Sequence, residues 1–145
     1  MDFNIRLKNI RKRNRTTQKS ISDYLGITLR TYQRYESGTI EPPLENIVAI
    51  ANYFKLPVDC LLGNGLFSNW EEILLYKDEI LSYLKENIIP QLDHYDLSAL
   101  TENQLAYTLP AVFTKITIED SVITFYSQVS ATKSAHQISK PAEEC

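Results

Sequence analysis

The chain reads as mainly α-helical: five short helices up to about residue 65, then a long amphipathic helix and a small α+β module ending in a β-hairpin. Three observations predict this. Apolar residues of the first half recur at spacings of three and four, punctuated by Gly and Pro. The stretch from Trp70 to Ile88 keeps a helical period without a breaker. Two β-branched runs between Thr114 and Tyr126 flank a short polar segment.

Phe3, Leu7 and Ile10 share the face of a first helix, with Arg6, Lys8, Arg11, Lys12 and Arg13 elsewhere on it. Asn14-Arg15-Thr16-Thr17 breaks the pattern, and Thr17 is placed to cap a second helix, Gln18 to Leu25, with Ile21 and Leu25 inward. Gly26 ends it, as a residue that tolerates a left-handed backbone does. Thr28 caps a third helix, Leu29 to about Glu36, with Tyr32 and Tyr35 inward and Ser37-Gly38 closing it. After Pro42-Pro43, a fourth face is formed by Leu44, Ile47, Val48, Ala51 and Phe54. Val58, Leu61 and Leu62 form a fifth, closed by Gly63-Asn64-Gly65.

In the second half, Ser68 with Glu71 has the pattern of a capping box that opens a helix running toward Pro90. Trp70, Ile73, Leu74, Lys77, Leu81, Leu84 and Ile88 fall within an arc of about 100° on it. That stripe is either the core of a small domain or a seam between two chains, with Lys77 snorkelling past its neighbours. Thr101 opens another helix with a Thr-x-x-Gln box, ended by Pro110. Thr114–Ile118 and Val122–Tyr126 form a hairpin about Glu119-Asp120-Ser121, and a two-stranded hairpin must pack on something to persist in water. From about Ser130 the chain is polar and reads as a disordered tail. The organisation is therefore 1–65, 66–129 and 130–145.

The 145 residues are 43% hydrophobic and 23% charged, which suits a chain with a real core and excludes disorder throughout. No apolar run approaches the roughly 18 residues of a membrane span, and the first fifteen residues lack a secretory pattern. Cys60 and Cys145 cannot build a disulfide scaffold or a four-sulfur metal site, and a reducing cytoplasm is the expected home. Charge is divided. Residues 1–65 carry ten Lys/Arg against six Asp/Glu, whereas residues 66–145 carry five against twelve. The basic half is suited to a polyanion.

Two short helices joined by a turn containing Gly, on a basic background, make a helix-turn-helix pattern. The segments RLKNIRKRN, TQKSISDYLGIT, RTYQRYESG and PPLENIVAIANYFKLPVDCLLG resemble the Cro/C1-type (XRE-type) helix-turn-helix family. The agreement rests on Thr17-Gln18 opening the second helix, Gly26 in the turn, Tyr35-Glu36-Ser37-Gly38 ending the third, and Asp59-Cys60-Leu61-Leu62-Gly63 ending the domain. It covers Arg6 to Gly63; residues 66–145 resemble no family.

An α-helix fits the major groove, and side chains near its N-terminus meet base edges. Leu29, Arg30, Gln33 and Arg34 remain outward on the third helix and are the expected base readers. The resemblance places Leu29, Arg30 and Arg34 at positions that face bases. Arg30 and Arg34 suit guanine O6 and N7, or else lie along phosphates. Gln33 suits adenine or a phosphate, and Leu29 a thymine methyl. Thr17, Gln18, Lys19 and Thr39 are the expected phosphate contacts, Gln18 at a helix start that favours an anion. The resemblance implies that Arg11 and Glu36 form a structural ion pair. Arg13 and Arg15 belong to a solvated basic face that adds sequence-independent attraction.

Catalytic chemistry is not found. His94 and His136 are the only histidines, no HExxH occurs, and four glycines provide no phosphate loop. Cys60 reads as packed, and no catalytic residue, metal site or cofactor is assigned. The resemblance implies a sequence-specific transcriptional regulator, a repressor binding a palindromic operator as a homodimer with half-sites about 34–36 Å apart. Its partners would be double-stranded DNA and a protein or small-molecule effector at the C-terminal half, with no membrane. The alternative is an antitoxin that binds a toxin through its C-terminal half and regulates its own operon. A C-terminal half disordered until bound favours the second reading, and a self-sufficient module the first.

Overall fold

The computed structural model describes residues 2–88 and 100–127 and, beyond them, the backbone of residues 133–137; the side chains of Ile88 and Ser127 are also outside the description. The chain forms two compact units, Met1–Ser68 and Asn69–Cys145.

The first unit contains α1 (Phe3–Arg13), α2 (Gln18–Leu25), α3 (Leu29–Ser37), α4 (Leu44–Phe54) and α5 (Val58–Leu62), followed by a 3₁₀ turn, Gly65–Asn69, that begins in this unit. α3 packs on α1 and α2, α4 packs on α2, and α5 closes against α1 and α4. Leu7, Ile10, Ile21, Tyr32, Ile50, Cys60 and Leu61 are fully enclosed. Removing such side chains from water stabilises the unit by about 1.5–3 kcal/mol each. α4 departs from the expected face: Leu44 is 73% and Val48 41% exposed, while Ile50, Ala51 and Phe54 are buried. In a segment apolar at 47, 48, 50 and 51, more than one phase satisfies helical periodicity, and packing against α2 and α5 selects one. Leu62 likewise points out, and Cys60 takes its place inside.

The second unit contains α6 (Trp70–Leu75), α7 (Lys77–Tyr83), a π turn (Leu84–Ile88), α8 (Glu102–Val112) and the strands β1 (Phe113–Glu119), β2 (Val122–Ser127) and β3 (Lys133–Gln137). The helix expected to run unbroken from Ser68 is interrupted at Tyr76 (φ −112°, ψ 27°), and it starts after Asn69 without a side-chain cap. The interruption re-phases the inward face. Trp70 and Ile73 precede it and Ile80, Leu81 and Leu84 follow it, all buried, while Leu74 is half-buried. Lys77 does not merely snorkel; its ammonium donates to the carbonyl of Leu100.

The Thr101/Gln104 capping box forms in full. Pro110 does not end α8, because a proline two residues from the end forfeits only one helical hydrogen bond. β1 and β2 are antiparallel about Asp120–Ser121, both left-handed (φ 51° and 65°), as a two-residue hairpin with right-handed twist requires. An irregularity between Phe113 and Lys115 lets Phe113 and Ile116, three apart, both face the core. There Phe125 stacks on Tyr83 with centroids 4.1 Å apart. β3 pairs antiparallel with β2 from Val122↔Gln137 to Tyr126↔Lys133. The expectation of disorder is thus corrected for 133–137: the free edge of β2 supplies backbone partners that need no apolar pattern. The rest of that tail, His94 and the chain around Pro90 lie outside the described residues.

Gly63, at φ 72°, ends α5, and a Cβ there would fall on the guanidinium of the buried Arg6. Gly63→Ala is expected to lower the unfolding free energy by about 1–2 kcal/mol, measured by urea denaturation, since a left-handed backbone is costly for a residue with a side chain.

Candidate nucleic-acid interface

α3 carries two incompatible duties on opposite faces. Its inner face is Tyr32, Tyr35 and Glu36, all buried. Its outer face presents Leu29, Arg30, Gln33 and Arg34, all exposed. Thr28 caps its start by accepting from the Thr31 amide at 3.1 Å, and Gly38 ends it in the left-handed region. Tyr35 is held from behind, its hydroxyl accepting from Asn46 Nδ2 of α4 at 3.0 Å. Gly26, at φ 70°, makes the turn that sets α2 against α3.

Beneath this face lies a polar network centred on Glu36. Arg11 Nε donates to Glu36 Oε2 at 2.6 Å and Nη2 to Oε1 at 3.0 Å, the bidentate geometry that gives charge-assisted bonds their strength. Arg11 Nη1 reaches the Thr16 carbonyl at 3.0 Å, so the same guanidinium fixes the α1–α2 turn. Gln18 Nε2 donates to Glu36 Oε1 at 3.0 Å, and Gln33 Nε2 donates to Gln18 Oε1 at 3.3 Å. Burial pushes the Glu36 carboxyl up, but Arg11, the Tyr32 hydroxyl and Gln18 outweigh it and hold it below its ordinary value. Burial, with the Glu36 charge beside it, drives the Tyr32 hydroxyl far above the usual phenol range. That hydroxyl adjoins the ion pair but makes no hydrogen bond of standard geometry.

The expected phosphate contacts are distributed around the start of α2. Thr17 is committed as its cap, accepting from the Ser20 amide at 3.1 Å. Lys19 pairs with Asp23 at 2.7 Å, both well exposed, a link that water and salt weaken. The Thr39 hydroxyl shares a bond of 2.8 Å with Ser37. A shallow concavity of about 490 Å³ lies beside α2, lined by Arg11, Lys12, Arg15, Thr16, Thr17 and Gln18. Lys12 and Arg15 were not among the expected phosphate contacts. Arg15 lies next to Thr16-Thr17 in the turn and Lys12 in the last turn of α1, positions at which a basic residue reads as solvated. Arg15 adopts φ 54°, unusual for a residue with a side chain.

Trp70, Ile73, Leu81 and Leu84 of the second-half stripe are buried within the chain. Trp70 Nε1 also donates to Glu102 Oε1 at 3.2 Å. Ile88 belongs to the side chains outside the description. Among the described residues there is no group of three or more side chains suited to a metal ion, and no helix long and apolar enough to cross a membrane.

A capped recognition helix set on a second helix through a glycine turn defines the helix-turn-helix class of DNA-binding proteins. The helix-turn-helix family model matches residues 7–59. The chain is 37% identical over 75 residues to the cryptic phage CTXphi transcriptional repressor RstR of Vibrio cholerae, covering 52% of this chain and 67% of that one. It is 37% identical over 73 residues to the SPbeta prophage-derived uncharacterized HTH-type transcriptional regulator YonR of Bacillus subtilis, covering 50% of this chain and 68% of that one. Other Bacillus subtilis regulators are spanned over about half of their length, 52%. A transcriptional regulator of known structure from Listeria innocua aligns with 25% identity and a TM-score of 0.41, over 60% of this chain and 96% of that one. This chain belongs to the Cro/C1-type (XRE-type) helix-turn-helix family of transcriptional regulators.

The Glu36 network sets a pH dependence. A carboxyl held below its ordinary value of 4.5 contributes stability that is present above that value and lost as pH falls through the lower, folded one. Glu36→Gln is expected to be less stable at pH 7 by about 1–3 kcal/mol. It should also lose stability less steeply than the native chain as pH falls below 4.5. Urea unfolding at stepped pH measures both; parallel acid limbs would remove Glu36 as the source.

Proposed function

We propose that this protein is a sequence-specific transcriptional repressor that lays α3 in the major groove of a palindromic operator and acts as a homodimer. The observation that carries the reading is the outer face of α3: four side chains free of packing duty on a helix whose opposite face is locked by Tyr32, Tyr35 and Glu36. Arg30 and Arg34 stand one turn apart, and each guanidinium fits guanine O6 and N7. Leu29 meets a thymine methyl. Gln18, Thr17, Lys19 and Thr39 follow the phosphates, joined by Lys12 and Arg15 across the concavity.

Repression is supported by the name of the Vibrio cholerae relative, and occlusion of a promoter by a bound dimer needs no further chemistry. The work would be done in the cytoplasm, where the DNA is. We assign the second unit to dimerisation or reception of an effector. Its buried stripe favours a self-sufficient module over a segment that folds only on a toxin.

Selection of bound duplexes from a random pool tests this, with enrichment of an inverted repeat as the expected result. Arg30→Ala or Arg34→Ala is expected to flatten the preference at one position per half-site, about 5–150-fold for a bidentate pair, while leaving salt-sensitive binding to unrelated DNA. Native preferences in both variants would end the assignment of these two residues to bases.

A further inference from the structure

An ionised carboxylate has no proton to give, so Glu36 admits donors only. It receives Arg11 through two nitrogens, at 2.6 and 3.0 Å, and Gln18 through Nε2 at 3.0 Å. Gln18 is thereby obliged to turn its amino group to Glu36, which leaves Oε1 to meet Gln33. That oxygen requires a donor, and Gln33 supplies Nε2 at 3.3 Å. Donation therefore runs one way, from exposed Gln33 through half-buried Gln18 to buried Glu36, with the negative charge at the inner end.

The direction has a consequence for recognition. Gln33 has committed one N–H to Gln18 and retains Oε1 and one N–H. An acceptor beside a donor is the complement of adenine, which offers the N6 amino group and N7 in the major groove. Guanine offers N7 and O6, both acceptors, and would set a carbonyl against Oε1. The opposite amide orientation would present two donors and suit guanine instead. Desolvation at the interface makes such a mismatch costly, because neither oxygen keeps its water.

We propose that Glu36 and Gln18 are positioning residues that set the polarity of the Gln33 amide, making Gln33 a reader of adenine against guanine in the operator. This rests on α3 occupying the major groove. Gln18 keeps its second N–H for a phosphate, so its two roles coexist. Arg11 contributes by gripping both carboxylate oxygens of Glu36, sharing Oε1 with Gln18.

The test uses the full chain, at fixed salt, on duplexes built from the selected operator and varied one base pair at a time. Gln33→Ala identifies the position whose preference disappears. There the native chain is expected to bind adenine at least about tenfold more tightly than guanine. Glu36→Gln removes the obligatory acceptor and is expected to bring that ratio within about threefold, a larger change than at any other position. Gln18→Met cuts the relay without burying a charge and is expected to produce the same collapse. Its accompanying loss of phosphate contact is common to all duplexes and cancels in the ratio.

An undiminished adenine-to-guanine ratio in Glu36→Gln and Gln18→Met would overturn the positioning role. A preference for guanine at the Gln33 position, or no position sensitive to Gln33→Ala, would overturn the adenine assignment. Failure of the native chain to enrich any sequence would instead overturn the major-groove reading on which both depend.

Discussion

Three helices meet at the carboxylate of Glu36. It stands on α3, is gripped by Arg11 of α1, and takes the amide of Gln18 at the start of α2. A buried ion pair is not in itself a source of net stability, because desolvating the two charges offsets much of their attraction. What it provides is register. Tyr32 and Tyr35 hold α3 against the core by apolar burial, an interaction tolerant of small slides and rotations. A bidentate guanidinium–carboxylate pair is not tolerant of them, since both bonds lengthen together if either helix shifts. The apolar contacts thus keep α3 in place and the polar network sets its angle, which is the quantity a groove-reading helix must hold constant.

The parts legible in the sequence are those where one residue has one job. Thr17 and Thr28 cap α2 and α3, Gly26 makes the turn, and the division of α3 between tyrosines and outward polar residues follows from helical spacing alone. Where several residues compete for one job, spacing was insufficient. On α4, Ile47, Val48, Ile50 and Ala51 permit two inward faces, and the neighbouring helices decide. From Ile73 to Tyr76 four consecutive apolar residues leave the phase undetermined, and the break at Tyr76 brings Ile80 inside. β3, with the sequence KSAHQ, carries no alternation, because its pairing with β2 is a matter of backbone groups. The Gln18–Gln33 bond joins residues fifteen apart on different helices, and no local rule connects them. The Arg11–Glu36 pair was expected from the family resemblance, whereas the link from Glu36 through Gln18 to Gln33 was not.

The second unit shows how a marginal element is made useful. β1 and β2 would be unstable alone. Phe113, Ile116, Ile123 and Phe125 bring an apolar face, and Tyr83 lays its ring on Phe125 from the helical side. Asn69 Nδ2 occupies the Ile116 carbonyl at 2.9 Å, so one acceptor of β1 is met by a side chain instead of a further strand. Trp70, Ile73, Leu81 and Leu84 are engaged inside the chain, so the proposed dimer or effector surface does not draw on them.

The division of charge then acquires a physical meaning that does not depend on how the two units are disposed. Residues 1–65 carry four more Lys/Arg than Asp/Glu, and residues 66–145 seven fewer. At physiological salt a charge is felt over about 8 Å, so acidic residues in the second unit repel DNA only where they come close to it. They oppose any indiscriminate contact with DNA by their own surface. A chain that was basic throughout would hold DNA more tightly and less selectively, because phosphate attraction is blind to sequence. Concentrating net positive charge in the unit that bears α3 couples attraction to orientation: on the proposed reading, one unit supplies both the phosphate attraction and the side chains offered to base edges. On the proposed reading, selectivity draws on where net positive charge is withheld as well as on the side chains offered to the bases.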